Sequence, residues 1–181
     1  MNKTAWTILA DGFEEVEAIT PIDLLRRAGI EVTVLGLSGR EIKGSHSIIV
    51  KTDASFSLQG PLPDAVILPG GPGHKNLLNS AAVIEFVQKM FQEKRLCAAI
   101  CAAPSVFGKA GILMGKKATC FPGYEDKLAN ATFVDVPVVT DGTVITSRGA
   151  GTAVPFSLEI IGYLMGSHAA ESVASTIIYK P

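Results

Sequence analysis

The chain has 181 residues, 48% of them hydrophobic and 18% charged, with a formal net charge of −1. That composition excludes a disordered polar chain, and the near-zero charge leaves no global field to draw nucleic acid or an anionic membrane surface. The length predicts one domain over residues 1–181, with enough chain to bury a sizeable core.

The first residues, MNKTAWTILADG, hold only a short apolar stretch before Asp11, too short for a signal-peptide core. No window approaches the ~20 apolar residues of a membrane span. With three cysteines and no secretion signal, reduced thiols in a cytoplasmic compartment are expected. Thr4–Ala10 reads as a buried strand stopped by Asp11-Gly12. Glu14–Ala28 follows as a helix with Val16, Ile19, Ile22 and Leu25 on one face and Gly29 as its stop. Pro21 cannot donate to the carbonyl of Glu17, so that helix should loosen there. Glu31–Leu35 is a second strand, and Ile42–Lys51 an extended excursion or hairpin turning at Gly44-Ser45.

Ala65–Leu68 is the next strand, cut by Pro69-Gly70-Gly71-Pro72-Gly73. A helix is predicted from about Ser80, a good N-cap, to Glu93, with Val83, Phe86, Val87, Met90 and Phe91 as its stripe. Leu96–Ile100 is a strand feeding a helix over Pro104–Ala110. Lys117–Cys120, Val138–Thr140 and Val144–Ser147 are further strands, the last two joined at Asp141-Gly142. Thr152–Met165 and Glu171–Ile178 close the chain as helices. This alternation predicts an α/β protein: a mostly parallel sheet with helices on both faces, and a site at the carboxyl ends of its strands.

Three stretches begin at such ends. In AAICAAP, Cys101 sits where a strand turns into a helix. Ala98, Ala99, Ala102 and Ala103 let the backbone turn sharply, and Pro104 suits a first helical turn. The amides of that turn are expected to lower the thiol pKa, in the manner of a nucleophile elbow; the competing reading is a buried packing cysteine. Gly70 and Gly71 suit close approach of backbone amides to a bound oxygen, or simply end a strand. Glu14 and Glu15 read as solvated charges at a helix N-terminus. Glu17 lies beside the loosened position; in contact with Cys101 it would share a proton with it. His74 follows the glycine loop and is a candidate pocket residue, whereas His46 and His168 read as turn or surface residues. Cys97 and Cys120 read as packing, and no Cys/His spacing suggests a metal.

DGFEEVEAITPIDLLRRAGI, VILPGGPG, AAICAAP and TSRGAGTA, in this order, resemble the ThiJ/PfpI superfamily, in the branch of the Parkinson-disease-associated protein deglycase and its bacterial relatives. The resemblance covers essentially the whole chain. It implies a flavodoxin-like three-layer sandwich, a homodimer, and cofactor-independent chemistry. It also implies a reactive Cys101, a protonated Glu17 beside it, amides of Gly71 and Ala102 around the site, and Gly70 in the turn. The implied activity is glyoxalase chemistry on methylglyoxal or glyoxal, or deglycation of their protein adducts, with redox sensing or a chaperone-like role through the same cysteine as the alternative. Ala102 stands where the peptidase branch has histidine, which argues against peptidase activity. Phe121, before Pro122, stands where some members carry a histidine, and is a second candidate pocket residue.

Overall fold

The computed structural model describes residues 2–180. Among the described residues, eleven strands and six α-helices follow in chain order: β1 (Thr4–Leu9), α1 (Glu15–Arg27), β2 (Glu31–Gly36), β3 (Glu41–Lys43), β4 (Ile49–Lys51), β5 (Ala54–Ser55), β6 (Ala65–Leu68), α2 (His74–Asn79), α3 (Ala81–Gln92), β7 (Leu96–Ile100), α4 (Pro104–Ala110), β8 (Lys117–Ala118), β9 (Thr132–Phe133), β10 (Val138–Asp141), β11 (Val144–Ser147), α5 (Ala153–Met165) and α6 (Ser167–Thr176). The main sheet has seven strands in the order β10-β11-β7-β6-β1-β2-β5. All of its pairs are parallel except the edge hairpin β10–β11. β3–β4 and β8–β9 form separate two-stranded ribbons.

The sheet buries both faces, which is why its central strands read as unbroken apolar runs. Along β7, Leu96, Ala98 and Ile100 pack toward Phe156, Ile160 and Ile161 of α5, and α1 and α6 share that core. Cys97 and Ala99 point the other way, onto Val83, Phe86 and Val87 of α3, with α2 and α4 beside them. Three layers result, as expected, and α3 starts where its N-cap predicts: Ser80 Oγ accepts from the amide of Val83 at 3.3 Å.

Five details depart from the sequence reading. α1 is rolled relative to its expected stripe: Glu17, Ala18 and Pro21 face inward, while Val16 and Ile19 are 48% and 42% exposed. A carboxyl occupies an inward position because the site satisfies it. The short elements α2, β5 and β9 lack an apolar period long enough to announce them. β8 ends at Ala118, because the amide of Thr119 donates to Thr146 Oγ1 at 2.9 Å rather than to a ladder. α6 begins four residues early, just past Gly166 (φ 92°), where Ala170 packs against Gly162 of α5. The turn of the β3–β4 hairpin spans 44–48, closed by the amide of Gly44 on the carbonyl of Ile48 at 2.8 Å, with Ser47 at φ 71°.

Candidate active site

Cys101 adopts φ 65°, a left-handed conformation that L-residues other than Asn and Asp rarely take. The strain, of order 1–3 kcal/mol, is held by the surrounding backbone. The Cys101 amide donates to Ser147 O at 2.9 Å, its carbonyl accepts from the Phe121 amide at 2.8 Å, and the Ala103 amide donates to Ile100 O at 3.1 Å. Ala102 and Ala103 are buried, so larger side chains would crowd the turn. A strained, over-determined turn presenting a thiol fits the elbow better than a packing cysteine.

Opposite it stands Glu17, 1% exposed. Its Oε2 accepts from the Gly70 amide at 2.9 Å, and the Cys101 side chain and the Ala150 amide also favour its charged form. Gly70 is glycine for a steric reason: a Cβ there would lie 2.7 Å from both Cys101 Cβ and Glu17 Oε2. The Gly70 amide is therefore committed to Glu17. The amides of Gly71 and Ala102 instead act on the Cys101 side, opposing the rise of its thiol, so these two are the donors offered to an oxygen at that position. Gly71, at φ 74°, would place a Cβ 2.6 Å from the Glu14 amide nitrogen.

Electrostatics reverse one expectation. Burial pushes the Cys101 thiol up to about 12, the negative charge of Glu17 adds to the rise, and the amides of Gly71 and Ala102 only partly oppose it. Burial likewise pushes Glu17 up to about 7, against the hydrogen bonds from Cys101, Gly70 and Ala150. Two acids in one dry site resist being charged together. Protonating Glu17 removes its charge from the thiol's surroundings, so the two groups titrate as a coupled pair in which the thiol is the weaker acid.

A cleft of about 270 Å³ opens over the thiol, lined by Gly71, His74, Lys75, Ala102, Phe121 and Tyr124 among others. Both candidate pocket residues are thus beside Cys101. His74 is buried, its Nδ1 2.8 Å from Gly71 O and its ring edge-on to Tyr124 at 5.2 Å; Phe121 is 46% exposed. Lys75, Tyr124 and Ala150 were not singled out from sequence; Ala150 lay inside TSRGAGTA, but nothing local marks its amide. Cys97 and Cys120 are buried and have raised pKa values, burial being the main cause in each. Glu14 and Glu15 are not the solvated charges expected. Glu14 caps α1, accepting from the Glu17 amide at 2.7 Å. Glu15 is buried and ties down the hairpin, accepting from the His46 amide at 2.6 Å and lying 2.9 Å from His46 Nδ1. Glu14, Glu15 and His46 bring ligand-type atoms within 4.8 Å of one another, but Glu15 is already engaged by this loop. Among the described residues no helix is long and apolar enough to cross a membrane.

With the geometry in place, comparison with known proteins is decisive about ancestry. The DJ-1/PfpI family profile matches residues 3–162. The chain belongs to the DJ-1/PfpI family. A Danio rerio protein named Parkinson disease protein 7 homolog is 42% identical over 187 aligned residues, covering 99% of this chain and 98% of its own. A Pyrococcus abyssi protein named a deglycase is 35% identical over 158 residues, covering 86% of this chain and 95% of its own. The crystal structure of Drosophila melanogaster DJ-1beta matches at 40% identity with a TM-score of 0.96, covering 100% of both chains. The flavodoxin-like DJ-1/PfpI fold expected from the sequence is the fold observed.

Proposed function

We propose that this protein is a cofactor-independent glyoxalase or deglycase acting on methylglyoxal, glyoxal or their early adducts. The observation that carries the reading is Cys101, held at a strained strand-to-helix turn beside an open cleft, with the buried carboxyl of Glu17 next to it. The deglycase name of the archaeal relative supports the same class.

Transfer of the thiol proton to Glu17 leaves a thiolate, whose sulfur forms a C–S bond to the aldehyde carbon of a 2-oxoaldehyde. The aldehyde oxygen takes the developing charge, faces the amides of Gly71 and Ala102, and accepts the Glu17 proton to give a hemithioacetal. Glu17, now a carboxylate, removes the hydrogen of that carbon as a proton and returns it to the adjacent carbon, while the hydroxyl proton of the hemithioacetal passes to the neighbouring carbonyl oxygen. The product is a 2-hydroxy thioester. Water cleaves the thioester, releasing a hydroxy acid such as lactate and restoring the thiol. One water is consumed and no external oxidant or reductant is needed. Lactate release from methylglyoxal by the wild type, with none from Cys101→Ser, tests the reading; equal release by both would end it.

The same geometry favours a second reading, redox sensing. A sulfinate on Cys101 would present oxygens to the Gly71 and Ala102 amides and to a protonated Glu17. Mass spectrometry after graded peroxide, with turnover measured in parallel, separates the two. A homodimer in the cytoplasm completes the proposal, with Val16 and Ile19, exposed on α1, supporting a second copy docked there.

A further inference from the structure

Beside the Cys101 cleft lies a larger cavity of about 660 Å³ between α2, α4 and the segment 123–129. The two cavities are neighbours that share His74, Lys75 and Tyr124 as lining. Leu78, Ser105 and the backbone at Gly108 give the larger cavity a mostly apolar wall. Its charged groups are three lysines and one aspartate, and two of the lysines are engaged. Lys109 Nζ donates to Leu78 O at 3.0 Å, and Lys127 pairs with Asp126 at 2.7 Å. Lys75 has no ion pair among the described residues. His74, 4% exposed, uses Nδ1 on Gly71 O and leaves Nε2 without a hydrogen-bond partner among the described residues.

We propose that this cavity is a subsite for an arm of the substrate: an apolar, flat body ending in a carboxylate that Lys75 selects. The proposal rests on the reading of Cys101 as the nucleophile. A three-carbon oxoaldehyde is small against the Cys101 cleft of about 270 Å³ and has no arm to place in the larger cavity. In this proposal an arylglyoxal carrying a para carboxylate extends past His74 and Tyr124 with its ring along Leu78. Apolar walls with a few convergent polar groups are the usual composition of a small-molecule site. An exposed lysine beside such a wall adds orientation more than affinity, because water and salt screen it.

The test uses 4-carboxyphenylglyoxal, phenylglyoxal and methylglyoxal as substrates, and 4-acetylbenzoate as an unreactive probe of Cys101→Ser by amide NMR. Saturable shifts at Leu78, Lys109 and Gly123 are expected. The ratio of kcat/KM for 4-carboxyphenylglyoxal over methylglyoxal should fall about tenfold in Leu78→Trp, which fills the cavity. In Lys75→Met the preference for the carboxylated over the plain aryl substrate should fall about fivefold. Absence of saturable shifts, with both ratios unchanged while methylglyoxal is still turned over, overturns the subsite and spares the enzymatic reading. Saturable shifts with no turnover of any of the three aldehydes keep the subsite and overturn the enzymatic reading.

Discussion

Glu17→Gln tests the proposed proton transfer between Cys101 and Glu17 more directly than any other change, because it keeps the shape of the side chain and removes its titration. The glutamine oxygen can still accept from the Gly70 amide, now 2.9 Å from Oε2, and its NH2 can still donate toward sulfur. It cannot accept a proton and return it. Loss of one general acid–base group costs about 10²–10⁴-fold, so lactate formation should fall by that factor. The Cys101 thiol should move the other way. Burial will still hold it up, but the charge of Glu17, the second cause of its rise, is gone, so its pKa should drop from about 12. Alkylation by iodoacetamide across pH should therefore persist in the variant while turnover collapses. Stability supplies an independent reading. Glu17 rises from 4.5 to about 7 on folding, so the stability it contributes is complete below pH 4.5 and is lost as pH rises through 7. The full shift corresponds to about 3 kcal/mol. Urea unfolding at pH 4.5 and pH 8 should show the wild type losing more stability than Glu17→Gln by most of that amount. Near-wild-type turnover in the variant, with equal pH dependence of stability, would make Glu17 a bystander and refute the mechanism.

Mass-spectrometric mapping of alkylated native protein should find Cys101 modified first, since Cys97 and Cys120 do not line the cleft; equal labelling of all three would count against the elbow. Gly70→Ala should lower the unfolding midpoint and turnover together, because its Cβ would sit 2.7 Å from Cys101 Cβ and Glu17 Oε2; an unperturbed melting curve would contradict that contact. The Glu15–His46 tie has a pH window. Burial would raise Glu15, but hydrogen bonds from the His46 side chain and amide, from its own backbone and from Ser45 together hold it down to about 2, while the side-chain hydrogen bond to Glu15, and then the charge of Glu15, raise His46 above 6.5. The Glu15 contribution is present above pH 4.5 and lost as pH falls through about 2, and that of His46 is complete below 6.5 and lost as pH rises through its folded pKa. Protection of the His46 amide against hydrogen exchange should therefore be greatest from about pH 4.5 to 6.5, and His46→Ala should abolish that maximum. Light scattering at micromolar concentration should give about twice the 19.0 kDa of the chain, and Ile19→Glu should return it to the monomer mass.

The sheet was legible because its central strands are covered on both faces, so each is an apolar run that needs no partner to be recognised. α3 was legible because Ser80 caps it and its stripe spans three turns. The rest depends on contacts remote in sequence. Nothing in GFEEVEAI says that Glu17 rather than Val16 faces inward. That orientation is set by the Gly70 amide, 53 residues away, and by the amide of Ala150 beyond the end of β11. Helical periodicity assumes that carboxyls seek water, and it fails where a site supplies the hydrogen bonds water would have made.

The thiol shows the same limit. Local reasoning from the turn at Cys101 gives a lowered pKa, because only the amides are visible in the sequence. Burial and a facing carboxylate, both tertiary, outweigh them. A thiol raised by a neighbour is not thereby inert. Its reactivity is conditional on where one proton sits, and an aldehyde that needs a nucleophile first and an acid next is suited to a pair that can supply both. The feature that made the sequence reading of the pKa fail is thus the feature on which the proposed chemistry depends. A cysteine at the same elbow with an apolar residue at position 17 could add to an aldehyde, but would have no carboxyl to carry the proton between adjacent carbons.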